Sequence, residues 1–164
     1  MTAFVSDIQA PKPPVTISRV EHTGITVSSL KDSLDFWVNV LGFQHLYTWT
    51  FENSPFIEKL VGVDAAAMWI AMVEGYGHRI ELLEYQAPAD RQTFKPRSCD
   101  VGSVHIGIFV DDIDAALTRV AGAGWFPVAE PQTVEGGERD GMRLIYVRGL
   151  DGVTIEFIQN AHKN

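Results

Sequence analysis

The chain has 164 residues, of which 46% are apolar, and its formal net charge at pH 7 is −8. This length and composition predict one globular unit with a sizeable core. The acidic balance excludes a nucleic-acid partner, because neutralising a phosphate backbone takes clustered Lys and Arg. We therefore expect the partner to be a small molecule.

No stretch approaches the roughly 20 consecutive apolar residues of a membrane span, so we expect no membrane partner. Residues 1–16 lack the basic and apolar regions of a signal peptide, and their Pro-rich end predicts a flexible or extended N-terminal arm. The only cysteine, Cys99, cannot form an internal disulfide, which suits a reducing compartment. The sequence therefore predicts a cytoplasmic protein.

The first half, residues 17–85, reads as a strand, a helix and three further strands. Alternation predicts a strand over 17–27, and a helix capped by Ser28 or Ser29 follows, with Gly42 at its end. One face of this helix is apolar, formed by Leu30, Leu34, Trp37, Val38 and Leu41. Further strands are predicted at 43–51, 66–73 and 79–85, with a short helical turn at 55–61.

Residues 86–102 show no apolar period and predict a linker, after which the second half, 103–159, repeats the same order. A strand is predicted at 103–110, followed by a helix capped by Asp111 or Asp112. Strands follow at 125–129, 142–147 and 153–158, and residues 160–164 form a short tail. We therefore predict an α+β fold of paired βαβββ modules.

The clearest motif is a duplicated strand with one histidine. His105 stands 83 positions after His22, and each opens the pattern His-x-Gly-Ile-x-Val before a capped helix. Glu81 and Glu156 likewise lie in the last predicted strand of each half. Any one of these residues alone would be an ordinary, partly exposed strand residue, but a repeat that preserved only a fold would not need to match all four.

Alternation places the four polar side chains on one side of their strands. In the second half, Ile106 suits packing under the helix, so His105 lies on the opposite, concave face together with Glu156. The first half repeats this pattern with His22 and Glu81. Two imidazoles and two carboxylates converging on a divalent cation neutralise its charge, whereas a lone buried carboxylate is costly. The four residues therefore predict a metal site.

With these motifs and the ending Asp-Gly-Val-Thr-Ile-Glu at 151–156, residues 17–159 resemble the vicinal oxygen chelate superfamily, in particular its glyoxalase I and methylmalonyl-CoA epimerase branch. The resemblance implies a single domain in which the modules form a concave, partly open mixed β-barrel. It also implies a homodimer and one divalent ion, which could be Zn, Ni, Co, Mn or Fe. That ion would be held by His22, Glu81, His105 and Glu156, within one chain or between subunits, and would leave positions for two vicinal oxygens of a substrate.

The same resemblance implies a metal-dependent lyase or isomerase that removes a proton α to a carbonyl and stabilises a metal-bound enolate. Glu156 is the first candidate for the base and Glu81 the second, with Glu58 as a candidate second base. Two alternatives stay open. The first is a metal-independent small-molecule binding or resistance protein of the same fold, and the presence of all four predicted metal ligands argues against it. The second is an Fe(II)-dependent dioxygenase, and Glu81 as a fourth ligand argues against it.

The substrate is not defined by these patterns. Six large side chains could line an apolar pocket or belong to the core: Trp49, Phe51, Phe56, Met68, Trp69 and Met142. A glutathione or coenzyme A substrate would favour a basic entrance, for which the candidates are Arg79, Arg91, Arg97, Arg139 and Arg143.

Overall fold

The structure of the protein is a computed structural model that describes residues 15–149 and 151–161. The predicted N-terminal arm lies outside these residues except for its last two positions, and the predicted tail lies outside them beyond Ala161. Within the described ranges, no helix is both long enough and apolar enough to cross a membrane.

The first half forms a four-stranded mixed sheet with helices on both faces. Its elements are β1 (Thr23–Thr26), α1 (Leu30–Leu34), β2 (Gln44–Phe51), α2 (Pro55–Val61), β3 (Ala67–Gly75) and β4 (His78–Ala87). The strand order is β1-β4-β3-β2, and β1 runs parallel to β4. Helix α1 continues directly into a π-helical stretch, Asp35–Val40, so the helix predicted here changes its geometry midway.

The second half repeats this order in a five-stranded sheet. Its elements are β5 (Ile106–Val110), α3 (Ile113–Ala121), β6 (Phe126–Pro127), β7 (Gln132–Thr133), β8 (Arg143–Arg148) and β9 (Thr154–Gln159). The strand order is β5-β9-β8-β6, and β7 also pairs with β8. Because β6 and β7 share one neighbour, together they take the place that β2 has in the first half. The predicted α+β fold of paired βαβββ modules is confirmed.

The first strand of each half is shorter than predicted. The strand expected at 17–27 covers only Thr23–Thr26, and the one expected at 103–110 covers only Ile106–Val110. In the first half the partner strand β4 begins at His78, so the chain before Glu21 has no backbone to pair with. The strand predicted at 125–129 shrinks to two residues, Phe126–Pro127, although Val128 N still donates a hydrogen bond to the Tyr146 carbonyl oxygen of β8 at 2.9 Å.

Helices α1 and α3 are each tied at the N-terminus to the last strand of their own half. The Glu84 carboxylate accepts a hydrogen bond from Leu30 N at 2.6 Å, and the Gln159 side-chain oxygen accepts one from Ile113 N at 3.1 Å. The predicted cap Asp112 also accepts from two backbone N–H groups of α3. The duplication therefore extends to how the helices are anchored.

The two halves share one hydrophobic core on the helix side of both sheets. Phe36 and Trp125 stack across the junction with ring centroids 3.9 Å apart and an interplanar angle of 5°. Arg119 adds hydrogen bonds from α3 to the carbonyl oxygens of Val40 and Asn39, at 2.5 and 3.2 Å. Among the described residues the sheets are not hydrogen-bonded to each other, so one chain forms two sheets without closing a barrel.

Strand residues that enter this core alternate with the residues of the predicted site. Ile80 and Ile155 are fully buried, and Glu81 and Glu156 follow them on the opposite side of their strands. We call the sheet face that carries Glu81 or Glu156 the outer face. Helix α2 covers part of the first outer face, because Ile57 packs there with Met68 and Ile70.

Candidate metal centre

His22 and Glu81 form the first of two His–Glu pairs. His22 immediately precedes β1, and Glu81 lies in β4 opposite Gly24 of the parallel ladder. This register brings His22 Nε2 to 3.3 Å from Glu81 Oε2. The side chains are 34% and 22% exposed, so the pair is partly buried but still accessible to a ligand.

The other nitrogen of His22 is held by a chain of charged groups. Its Nδ1 lies 2.5 Å from Glu21 Oε2, and Arg79 donates to Glu21 Oε1 at 2.7 Å and to Glu74 Oε1 at 2.7 Å. Hydrogen bonds from His22 and Arg79 hold the pKa of the Glu21 carboxyl below its usual value. A carboxylate at Nδ1 favours the tautomer whose Nε2 carries the lone pair, as at many metal-binding histidines.

His105 and Glu156 form the second pair in the same way. Glu156 in β9 lies opposite Gly107 of β5, and His105 Nε2 is 3.5 Å from Glu156 Oε2. The side chains are 41% and 19% exposed. A Cβ atom added at Gly24 or at Gly107 would lie 3.8 Å from the neighbouring carboxylate oxygen in both halves. The repeat therefore preserves the local geometry of the pair as well as its residues.

Tyr146 is a site residue that the sequence patterns did not single out. It pairs with Glu156 across β8 and β9, and its hydroxyl lies 3.5 Å from His105 Nε2, with the two ring centroids 4.7 Å apart. The residue in the same place beside Glu81 is Met72, so the first pair has no phenol at the equivalent cross-strand position. Alternation within the predicted strand 142–147 would have put Tyr146 on the outer face.

An aromatic row extends the first pair along the outer face. Tyr47 and Trp49 of β2 stack with centroids 4.4 Å apart, and Trp49 makes an edge contact with Phe51. Tyr47 pairs with Met72 of β3, and Met72 pairs with Glu81 of β4, so the row begins beside the first His–Glu pair. Trp49 is 53% exposed. Of the predicted apolar candidates, Trp49 and Phe51 therefore line this face, whereas Trp69 lies on the helix side beside Glu84.

The structure does not bring the two pairs together. Among residues 15–149 and 151–161, no three His, Cys, Asp or Glu side chains form a group that could hold a metal ion. The shared core explains this, because both outer faces are turned away from it. In the same ranges no hydrogen bond or ion pair links the Glu58 carboxylate of α2 to either pair. The two His–Glu pairs are therefore separate within the described ranges, and we call each of them a half-site.

Comparison with known proteins gives a consistent relationship over nearly the whole chain. Residues 19–157 match the model of the Glyoxalase/Bleomycin resistance protein/Dioxygenase superfamily. A 2-epi-5-epi-valiolone epimerase from an Actinomyces species is 33% identical over 143 residues, which is 85% of this chain and 78% of that protein. A probable lactoylglutathione lyase from Vibrio parahaemolyticus is 32% identical over 146 residues, covering 87% and 91% of the two chains.

The fold is also similar to that of a solved structure. The crystal structure of a glyoxalase family protein from Bacillus cereus superposes with a TM-score of 0.77 at 22% identity. That alignment covers 93% of this chain and 100% of the other.

Proposed function

The chain belongs to the glyoxalase/bleomycin resistance protein/dioxygenase superfamily, and from this we propose that it is a metal-dependent lyase or isomerase of a small molecule with vicinal oxygens. The resemblance expected from the His-x-Gly-Ile-x-Val repeat is confirmed at the family level. The observation that carries the proposal is the pair of duplicated His–Glu half-sites, with nearly equal nitrogen–oxygen distances of 3.3 and 3.5 Å.

The donor set suits a divalent cation. Imidazole nitrogen and carboxylate oxygen together bind Zn, Ni, Co, Mn or Fe(II), and in both pairs Nε2 already faces a carboxylate oxygen. Glu21 supports this fit because its carboxylate accepts a hydrogen bond from His22 Nδ1–H, which leaves Nε2 as the atom that can bind a metal. When bound, the cation supplies positive charge that stabilises the anion left by proton removal.

The residues of the chain supply the base. Glu156 is our first candidate to take the proton α to the substrate carbonyl, since it is 19% exposed and lies beside both His105 and Tyr146. Glu81 is the second candidate for this base, and Glu58 stays a candidate for a second base. The names of the two relatives, an epimerase and a lyase, support this class of chemistry.

We further propose that a second copy of the chain completes the site. A metal with four protein ligands needs both half-sites, and a C2 dimer can oppose His22 and Glu81 of one subunit to the second half-site of its partner. Large apolar side chains on the outer faces support this arrangement, since Trp49 is 53% and Phe109 64% exposed in the single chain.

Proton exchange tests the reaction directly. Two compounds drawn from the names of the relatives, 2-epi-5-epi-valiolone and lactoylglutathione, serve as probes in deuterated solvent. The metal-loaded protein should exchange the α-proton of at least one of them, and Glu156→Gln should abolish the exchange. Glu52→Gln, an exposed acid outside both pairs, is the matched control. Unchanged exchange in Glu156→Gln would remove Glu156 as the base.

Metal content separates this function from its alternatives. The purified protein is refed with each of the five candidate metals and its metal content is measured. Absence of stoichiometric metal would favour a binding or resistance protein of the same fold. Oxygen consumption with Fe(II) and a catechol would favour a dioxygenase.

A further inference from the structure

Arg148 occupies the outer face of the second sheet, close to the second half-site. It is the last residue of β8 and pairs with Thr154 of β9. The next pair on the same face is Tyr146 with Glu156. Since same-face neighbours lie about 7 Å apart along a strand, the long Arg148 side chain is within reach of a ligand held at Glu156.

The guanidinium of Arg148 is poorly satisfied. Its Nε atom is buried and has no hydrogen-bond partner among the described residues. Among the described residues its Nη2 atom donates to a neutral acceptor, Ser98 Oγ, at 3.3 Å. A partly buried guanidinium that forms no ion pair costs free energy.

The Asp100 carboxylate forms no ion pair with Arg148, although it is close enough for the two charges to interact. Arg97 binds Asp100 through its backbone N–H at 2.8 Å and its Nη2 at 2.7 Å. These hydrogen bonds hold the pKa of Asp100 below its usual value, and the Arg148 charge adds to that effect. Asp100 is therefore committed to the linker in which it lies.

Three of the five arginines expected at a basic entrance are engaged in ion pairs. Arg79 binds Glu74 and Glu21, Arg97 binds Asp100, and Arg143 binds Asp114 at 2.7 Å. Arg148 was not among the expected arginines, and unlike these three it forms no ion pair with a carboxylate of the described ranges. Its position on the outer face makes it the arginine best placed to act on a ligand there.

We propose that Arg148 is an anion subsite that binds a carboxylate or phosphate group of the substrate whose reacting carbon lies at Glu156. The inference rests on the proposed function for the position of that carbon. A planar guanidinium fork binds either group through two parallel hydrogen bonds. Because the chain carries a net charge of −8, an anionic substrate needs a local cation to hold it. The substrate is thus a small anionic carbonyl compound.

Thermal unfolding with added anions tests this subsite without turnover. Wild type, Arg148→Met and Arg143→Met are compared in inorganic phosphate and in acetate, with chloride keeping the ionic strength constant. Arg143 is a matched control because it lies on the same strand and loses the same charge. Each protein is measured as purified and after chelation, so that anion binding through a metal is recognised.

Increasing phosphate or acetate should raise the melting temperature of wild type and Arg143→Met up to a plateau. The apparent affinity of Arg148→Met for the same anion should be weaker by roughly tenfold or more. Without added anion, Arg148→Met should be at least as stable as wild type, because an unpaired buried charge is removed. A response to phosphate alone would indicate a phosphate ester, and a response to acetate would indicate a carboxylate.

Three results would each overturn the subsite: no anion effect on wild type, the same effect in all three proteins, or an Arg148→Met variant less stable than wild type without added anion. The last would assign Arg148 a structural role. Since the measurement needs no reaction, an anion effect that persists while α-proton exchange is absent would refute the proposed function and leave the subsite standing.

Discussion

Replacing Glu84 with alanine removes the acceptor that ties α1 to its sheet. The Glu84 carboxylate accepts from Leu30 N at 2.6 Å and also from the Gln86 side chain at 2.7 Å. Leu30 is only 5% exposed, so water cannot readily replace the lost acceptor at its N–H group. We expect the variant to fold but to be measurably less stable.

The size of this effect follows from the bond and its position. A hydrogen bond to a charged group contributes about 1.5–3 kcal/mol, and a carboxylate at a helix N-terminus adds about 0.3–1 kcal/mol. Since Glu84 is partly exposed, we expect a loss near the lower end, about 2 kcal/mol. For a chain of this length, that corresponds to a decrease in melting temperature of about 4–8 °C.

Urea unfolding at fixed protein concentration measures this loss, with Glu84→Gln as the informative second variant. The second half uses a glutamine, Gln159, for the same contact, so Glu84→Gln should lose less than about 1 kcal/mol. Glu52→Ala, an exposed acid, controls for the relief of net negative charge. The reasoning would be refuted by a Glu84→Ala stability within about 0.5 kcal/mol of wild type, or by equal losses in the two Glu84 variants.

Two further predictions concern the dimer and the acid limb of stability. His22→Ala and His105→Ala should each be inactive alone, but their 1:1 mixture should regain about a quarter of the wild-type metal sites after subunit exchange. About half of the dimers are then mixed, and each mixed dimer has one intact site out of two. No recovery would place the whole site within one chain. Hydrogen bonds from Arg143 lower the pKa of Asp114 in the folded chain. The stability that they provide is therefore fully present above the pKa of an unfolded Asp, about 3.9, and is lost as the pH falls through the lower pKa of the folded state. The urea midpoints of wild type and Asp114→Asn should therefore converge as the pH falls below the pKa of Asp114 in the folded state. A constant difference down to low pH would show that the Arg143–Asp114 hydrogen bonds are not its cause.

Strand alternation was sufficient to predict that Glu81 and Glu156 lie on the sheet face opposite the core. Around Glu81 and Glu156 the neighbouring side chains are apolar and must be buried, which determines the face of each glutamate before any contact is known. The same reasoning located the helices, since Asp112 caps α3 and Gly42 ends the first helix with φ of 81°. These features depend only on residues close together in sequence.

Other features depend on contacts between distant parts of the chain. The length of β1 is set by where β4 begins, at His78, which no local pattern around His22 contains. The separation of the half-sites follows from Phe36 stacking on Trp125, which joins the halves through their helix sides. Arg148 lies one residue beyond the strand predicted at 142–147, and its lack of an ion pair becomes visible only when the linker is in place.

The π-helical stretch Asp35–Val40 marks a difference in length between the two halves. Trp37 and Val120 stand 83 positions apart, whereas the turn glycines that follow them, Gly42 and Gly124, stand 82 apart. The first helix therefore contains one residue more than its counterpart, and the wider π turn accommodates it. Beyond that turn Phe43 and Trp125 are again equivalent and both are buried. The difference of one residue is thus absorbed inside a helix, and the buried position that follows it is the same in both halves.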